Sequence, residues 1–516
     1  MIINIKYLKS KKVIIIMLFL LQLIPFTLYY SSLSYDFIYS IDDEWIVTSN
    51  PSIKMISKYG LGYGLKYLFY YDTTDFHYHP ITYLSYSMDY FLFGMNSYEL
   101  KLHNLLLHIC SGLLLFIFIH LLVKNKWIAF IVALIFLIHP MNIESIAWAS
   151  CRRQALFYTY FLMSAIAYKL FLENKLKRYN LLLFFLAIIF WIISTLAKAS
   201  AIVMPAIYVL LYIHKNRNKI EIKKIVLHLL PMLPFLCFFM YVNEQANARN
   251  FLVREFRYSN FDHIIFAGYT YCFYWLKGLF PFPLVVFYPA PSEHLPIPKD
   301  YYVMFAISCI LIGLLIYHFI KKQNTLFFAL GFYTITILPM LDLIFYPLGD
   351  LPMLVSNRYF YHTSLGIILY IVIIINDTIH NYKIKGLITI SYLAMLVFLF
   401  RFHLPVWKDE IKVFENDVKY YPSEEFSYKL AILYDENGET NKALEYLDKG
   451  DKLGKDIWIN NPWPYYQQRS KLYVKAKKYD RALNDINFAI KKKDLKTSYV
   501  DSILLADKKN IETLKK

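Results

Sequence analysis

Asp42, Asp43 and Glu44 place three adjacent carboxylates directly behind the first long apolar run of this 516-residue chain. Adjacent carboxylates can bind a cation, share a raised pKa, or divide the work of general base and orienting group. Further ionisable residues fall beside other apolar runs: His77, His79 and Asp89; His139, Glu144, Arg152 and Arg153; Lys198; and Arg358. Such groups are expensive at a membrane edge, so each carries a functional expectation. Arg152 and Arg153 have the planar donor fork that grips a phosphate. Lys198 sits in a very short connection between two apolar runs, where a cation calls for an anion, and a lipid-linked phosphate would supply one. Plainer readings stand beside these: a solvated acidic loop, His139 as a helix cap, and the arginines as headgroup anchors.

The elements that position these residues are apolar helices. The run over about 13–33 follows Lys6, Lys9, Lys11 and Lys12 and is long enough to cross a bilayer. Its basic flank stays inside, so the acidic triplet emerges outside. Its length, Tyr29 and Tyr30, and the lack of a small-residue cleavage site favour an uncleaved anchor over a signal peptide. Further apolar runs lie near 100–123, 127–140, 154–172, 179–197, 199–213, 225–243, 301–320, 325–343, 360–376 and 384–404, which brings the expected spans to about eleven. The basic connections at 124–126, 175–178 and 215–224 then share the side of the N-terminus. Residues 264–284 hold Gly268, Lys277, Pro281 and Pro283 and read as an interfacial or re-entrant helix. Left uncrossed, that stretch keeps Lys321, Lys322, Lys383 and Lys385 inside and puts everything after Pro405 outside. The expected location is the cell (inner) membrane, with a cytoplasmic N-terminus and the C-terminal region on the outer, periplasmic side.

A composition of 58% hydrophobic and 19% aromatic residues rules out a single soluble globule. The net charge of +17 comes from short loops and the C-terminal region, which topology and anionic headgroups explain better than nucleic acid does. The five cysteines are scattered, with neither zinc spacing nor a disulfide framework. His103 and His108, five apart on one helix, do not share a metal-binding face and read as packing residues; Gly60, Gly62 and Gly64 lack the preceding strand of a nucleotide site and read as a loop.

The expected fold is all-α: a polytopic membrane bundle over 1–404, with an outer loop at 34–99 and an outer interfacial segment at 244–300, followed by a helical domain over 405–516. In the latter, Leu430, Ala431, Tyr434, Gly438, Ala443, Leu447 and Gly450 recur 39 residues later as Arg469, Ser470, Tyr473, Lys477, Ala482, Ile486 and Ala489. The pattern resembles tetratricopeptide repeats, whose period is about 34 residues. The repeats span about 424–454 and 463–493, the extra residues around Asp456–Pro464 form an inter-repeat loop, and 406–421 and 498–515 are flanking helices.

Several motifs in order carry a further likeness. Asp42-Asp43 with Asn50-Pro51, His79-Pro80-Ile81-Thr82, the run His103 to His108, His139-Pro140 with Glu144 to Trp148, and Arg358-Tyr359 before Gly366 resemble the transmembrane and tetratricopeptide-repeat O-mannosyltransferase-like proteins and their bacterial relatives. The resemblance implies a GT-C glycosyltransferase that takes a sugar, mannose or another hexose, from a polyprenyl phosphate carrier. It also implies a catalytic base in the first outer loop, here Asp42 or Asp43. Glu44, His79, His139, Glu144, Arg152, Lys198 and Arg358 are the expected substrate contacts. The acceptor is a hydroxyl of a protein or glycan, recruited by the repeats. No cofactor is demanded; a divalent metal between carboxylates and phosphate is compatible with the residue types but required by no ligand spacing. Relatives usually carry an acid at the position of Gln154 and Lys-Glu at Lys198-Ala199.

Two other classes fit parts of this pattern. A non-catalytic membrane scaffold would use the repeats to bind a partner. A lipid or solute transporter would show repeats among its spans and binding residues near the midplane, and neither is evident.

Overall fold

The computed structural model describes residues 5–71, 78–174, 177–248, 259–288, 291, 296–341, 353–453, 463–492 and 498–515. Among these residues every regular element is helical. The chain divides into two compact units, Met1–Leu284 with Glu293–Lys408, and Val285–Ser292 with Asp409–Lys516.

The first unit begins with α1 (Ile5–Tyr29), followed by a π-helical segment at Tyr39–Thr48, α2 (Pro51–Tyr59), α3 (Leu61–Lys66) and α4 (Pro80–Phe93). Next come α5 (Ser97–Val123), α6 (Lys126–Ile138), α7 (Ile143–Ala147), α8 (Arg152–Glu173), α9 (Asn180–Ala197), α10 (Met204–Lys215), α11 (Ile222–Leu229) and α12 (Leu233–Ala248). The unit closes with α13 (Asn260–Leu279), α14 (Lys299–Ile320), α15 (Asn324–Ile337), α16 (Asn357–Thr378) and α17 (Tyr382–His403). Eight helical stretches are long and apolar enough to cross a membrane; α6 and α7 form a further pair bent by 53°, and Ala199–Lys215 and Asn324–Met340 are shorter apolar helices. Together they coincide with the apolar runs read from the sequence, and the chain is a polytopic helical bundle. α13 is a continuous helix outside that set, opened by a capping box in which Ser259 and Asp262 satisfy each other's backbone N–H groups.

Local chemistry sets the breaks. Asn50, Asn96 and Asn125 each accept a backbone N–H two residues on, starting α2, α5 and α6. Pro140 cannot continue α6, and His139 caps the turn it opens by accepting the Met141 N–H on Nδ1. Packing then follows from small residues. A Cβ on Gly366 would lie 2.6 Å from the Ala329 carbonyl oxygen and 2.7 Å from the Tyr333 nitrogen, so α15 and α16 meet backbone to backbone only because this residue is glycine.

The second unit holds α18 (Glu410–Tyr420), α19 (Glu424–Glu436), α20 (Thr440–Leu453), α21 (Trp463–Lys475), α22 (Tyr479–Lys492) and α23 (Ser498–Lys515). Gly438 and Lys477, equivalent under the 39-residue shift, both take left-handed backbone at the turns of the α19/α20 and α21/α22 hairpins. Ala443, Leu447, Ala482, Ile486 and Ala489 are buried between helices. Most of the expected loop at Asp456–Pro464 lies outside the described residues. The Asp417 carboxylate on α18 accepts the backbone N–H groups of Val286 (3.1 Å) and Phe287 (3.0 Å), which holds that segment within this unit.

Candidate functional site

The acidic triplet lies in the π-helical segment Tyr39–Thr48, a wide helical turn of a kind that recurs at functional sites because it displaces side chains from the regular ladder. The three carboxylates have different surroundings. Asp43 is buried: Oδ2 accepts the Ile38 N–H at 2.8 Å and Oδ1 the Ser150 N–H at 2.8 Å. Burial outweighs those bonds and raises its pKa to about 6. Asp42 is half-buried, and Glu44 is exposed.

Arg152 opens α8 and is fully enclosed. Its guanidinium pairs with Asp89 Oδ2 at 2.5 Å, donates to Asn104 Oδ1 (2.9 Å), Leu100 O (2.9 Å) and Ser85 O (3.3 Å), and stacks 4.6 Å from the Tyr86 ring centroid. The expectation of a phosphate ligand here gives way to an internal clamp, because almost every donor is already committed to α4 and α5. His103 completes the clamp, with Nδ1 2.6 Å from Asp89 Oδ1, so it is a hydrogen-bond partner of that carboxylate as well as a packing residue. His108 does pack, between Tyr361 (2.8 Å) and the Leu137 carbonyl (3.0 Å).

His139 is likewise occupied: its Nε2 lies 3.2 Å from the Gly278 carbonyl while Nδ1 caps the following turn, as the plainer sequence reading holds. His79 is buried at the start of α4, and His77 lies outside the described residues. Gly60, Gly62 and Gly64 are not a loop: Gly60 separates α2 from α3, and the other two lie within α3.

A second group gathers at the ends of α8, α9 and α16. Lys198, in the connection between α9 and the next short apolar helix, is buried, and its Nζ has no hydrogen-bond partner among the described residues. It rests over the rings of Tyr359 (5.3 Å) and Phe157 (5.5 Å). Burial, with repulsion from Arg153 and Arg358, pushes its pKa well below the usual lysine range. Arg358 pairs with Glu144 at 3.1 Å, and Ser356 donates to the same carboxylate oxygen at 3.3 Å. Asp42 is near enough to Arg358 to interact with it electrostatically. The first unit therefore brings Asp42, Arg153, Lys198, Glu144 and Arg358 into one electrostatic neighbourhood, with Cys151 coupled to all of them. Among the described residues no cluster of three or more His, Cys, Asp or Glu side chains is arranged to hold a metal.

No family model matches the chain, and no solved structure matches it. Two curated proteins resemble it. Human Protein O-mannosyl-transferase TMTC1 is 27% identical over 155 residues, covering 28% of this chain and 17% of the human protein. The mouse protein of the same name is 28% identical over 143 residues, covering 26% of this chain and 15% of its own length. The chain thus spans less than a fifth of the length of the curated relatives it matches.

Two contributors escaped the sequence reading, and two others were named in it without the role the structure gives them. Ser150 and Cys151 enter through backbone and position rather than through a recognisable motif. Gln154 is a buried amide whose oxygen and nitrogen both lack a hydrogen-bond partner among the described residues, a departure from normal burial that marks it as unusual. Asp89 carries a signal that could have been used: it is an acid within α4, whose neighbour α5 offers His103, and such a carboxylate needs a cation.

Proposed function

We propose that this chain is a membrane glycosyltransferase that moves a sugar, mannose or another hexose, from a polyprenyl phosphate carrier to a hydroxyl of a protein or glycan. The similarity to the O-mannosyl-transferases supports the class. The observation that carries the reading is Lys198: a buried amine with no hydrogen-bonding partner among the described residues, beside Arg153 and Arg358, in a chain of membrane-crossing helices. Burial favours its neutral form until an anion joins it and restores the charge, and a lipid phosphate is the anion proposed here.

In the proposed step the acceptor hydroxyl oxygen forms a bond to the anomeric carbon while its proton passes to Asp42. The bond from the anomeric carbon to the phosphate oxygen breaks, the electron pair leaves with polyprenyl phosphate, and the configuration inverts. Lys198, Arg153 and Arg358 oppose the charge that grows on the leaving phosphate. Asp42 is preferred to Asp43 as the base because Asp43 is enclosed and both of its oxygens already accept backbone N–H groups. The C-terminal hairpins would recruit the acceptor, and the active face would be the outer one.

The test is transfer by the purified protein in lipid nanodiscs, with polyprenyl-phosphate hexoses as donors and hydroxyl peptides or glycans as acceptors. Transfer that disappears in Asp42→Asn supports the reading. Partner binding by the C-terminal unit without transfer from any donor would replace it with the scaffold.

A further inference from the structure

The segment Trp45–Tyr71 has an exposed aromatic and basic face that the proposed transfer reaction does not use. It contains Lys54, Lys58 and Lys66 and neither Asp nor Glu; half-buried Asp42, buried Asp43 and exposed Glu44 immediately precede it, and Asp72 and Asp75, which follow it, lie outside the described residues. Tyr59, Tyr63 and Tyr67 recur at the helical spacing of four, and their rings touch in sequence, with centroids 5.0 Å and 6.5 Å apart. Trp45, Tyr59, Leu61, Tyr63 and Tyr70 are 74%, 52%, 57%, 50% and 75% exposed, so the apolar surface of this segment faces outward. The opposite face is closed: Ile53, Ile56 and Leu68 join a buried cluster with Tyr83 and Tyr86. A Cβ on Gly64 would fall 2.4 Å from Ile56 Cγ1, so glycine lets α3 seat against α2 and leaves the tyrosines outside.

The segment is also tethered. Residues 35–44, which include Asp42, Asp43 and Glu44, separate it from the end of the first apolar stretch at Ser34. Ser97 and Lys101, at the start of α5, donate to the carbonyls of Tyr35 (2.7 and 2.5 Å), and Lys101 also donates to that of Asp36 (2.7 Å). These contacts hold the chain that leads into the segment against the end of a second membrane-crossing helix. Exposed Tyr and Trp with lysines at such a place match the headgroup layer, where amphipathic rings and basic stems lie most favourably.

We propose that this face lies in the headgroup layer of the adjoining leaflet and is held there by anionic phospholipid through Lys54 and Lys58. The lysines are exposed, one of them over the Tyr59 ring at 5.0 Å, and no acid in the segment offsets them. The inference stands independently of the transfer reaction.

The experiment uses the full chain in nanodiscs of phosphatidylcholine alone, or of phosphatidylcholine with one-quarter phosphatidylglycerol. Cys110, Cys237 and Cys309 are replaced by alanine, and an environment-sensitive fluorophore is placed at Tyr63→Cys, at Leu61→Cys as a second reporter, and at Lys442→Cys in the charged α20 as the aqueous control. Quenching of the first two labels by brominated lipid, several-fold stronger with phosphatidylglycerol and absent at Lys442→Cys, is the expected result. Adding Lys54→Glu and Lys58→Glu should abolish the dependence on phosphatidylglycerol while the other spans keep the protein in the disc. Iodide quenching of the Tyr63→Cys and Leu61→Cys labels as efficient as at Lys442→Cys in both lipids would overturn the proposal. So would protection that appears only when a glycan or peptide acceptor is added.

Discussion

Ser150 donates its backbone N–H to Asp43 across 107 residues of sequence, so the buried carboxylate of the π-helical turn is braced by the chain that leads into α8. That bond divides the labour of the acidic pair. Asp43 shapes the turn, and Asp42 is left half-exposed near Arg358.

Asp42→Asn should lower sugar transfer by about 10²- to 10⁴-fold with an unchanged unfolding midpoint, since it removes a base without removing a packed contact. Asp43→Asn should behave in the opposite sense. An amide can accept at only one of its two positions, which leaves a buried backbone N–H opposed by another donor at a cost of about 1–3 kcal/mol. Unfolding midpoints and transfer rates measured on both variants decide; equal loss of stability in the two would refute the division.

The raised pKa of Asp43 sets a pH signature. Between the ordinary value of 3.8 and about 6 the folded protein keeps a proton that the unfolded chain has released, so stability falls as pH rises through that window and levels off above it. The stability of the wild type relative to Asp43→Asn should decline by at most about 3 kcal/mol across it. Thermal unfolding of both proteins at closely spaced pH values reads this difference, and a flat difference curve would count against the burial of this carboxylate.

Lys198→Met roughly keeps the length of the side chain and removes a buried amine that has no hydrogen-bond partner among the described residues. In the absence of donor it should stabilise the protein by at least about 1 kcal/mol. It should also weaken binding of polyprenyl phosphate by about 1.5–3 kcal/mol. A variant that loses stability and keeps full affinity would show Lys198 to be a structural anchor.

The Arg152–Asp89 clamp should be a matter of stability. Arg152→Ala or Asp89→Ala strands a buried charge and should cost about 3–5 kcal/mol, whereas the double replacement should cost less than the sum of the two. A double-mutant cycle in detergent-resistant unfolding checks it; additive losses would mean that the two groups do not act as a pair.

The basic loops predict an odd number of crossings and with it an outer location for the second unit. Asp435→Cys, in a chain lacking its exposed cysteines, should react with an impermeant thiol reagent in intact cells. Reaction only after permeabilisation would reverse the assignment.

The amino-acid order alone determined the helical bundle. Apolar runs of bilayer length, basic connections and asparagine or proline at helix starts are local signals, and local backbone and burial rules act on them without help from distant residues. The recurrence of Gly438 as Lys477 was legible for the same reason, since a repeated turn needs a repeated backbone conformation. The roles within the site were not legible. Asp42 and Asp43 are chemically identical in the sequence, and only the arrival of the Ser150 N–H distinguishes the enclosed carboxylate from the accessible one. Arg152 and Lys198 are likewise two cations at the ends of helices. Tertiary packing gave the first Asp89 as a partner and left the second without a hydrogen-bonding one among the described residues, because burial and pairing depend on which helices meet rather than on the residues beside them.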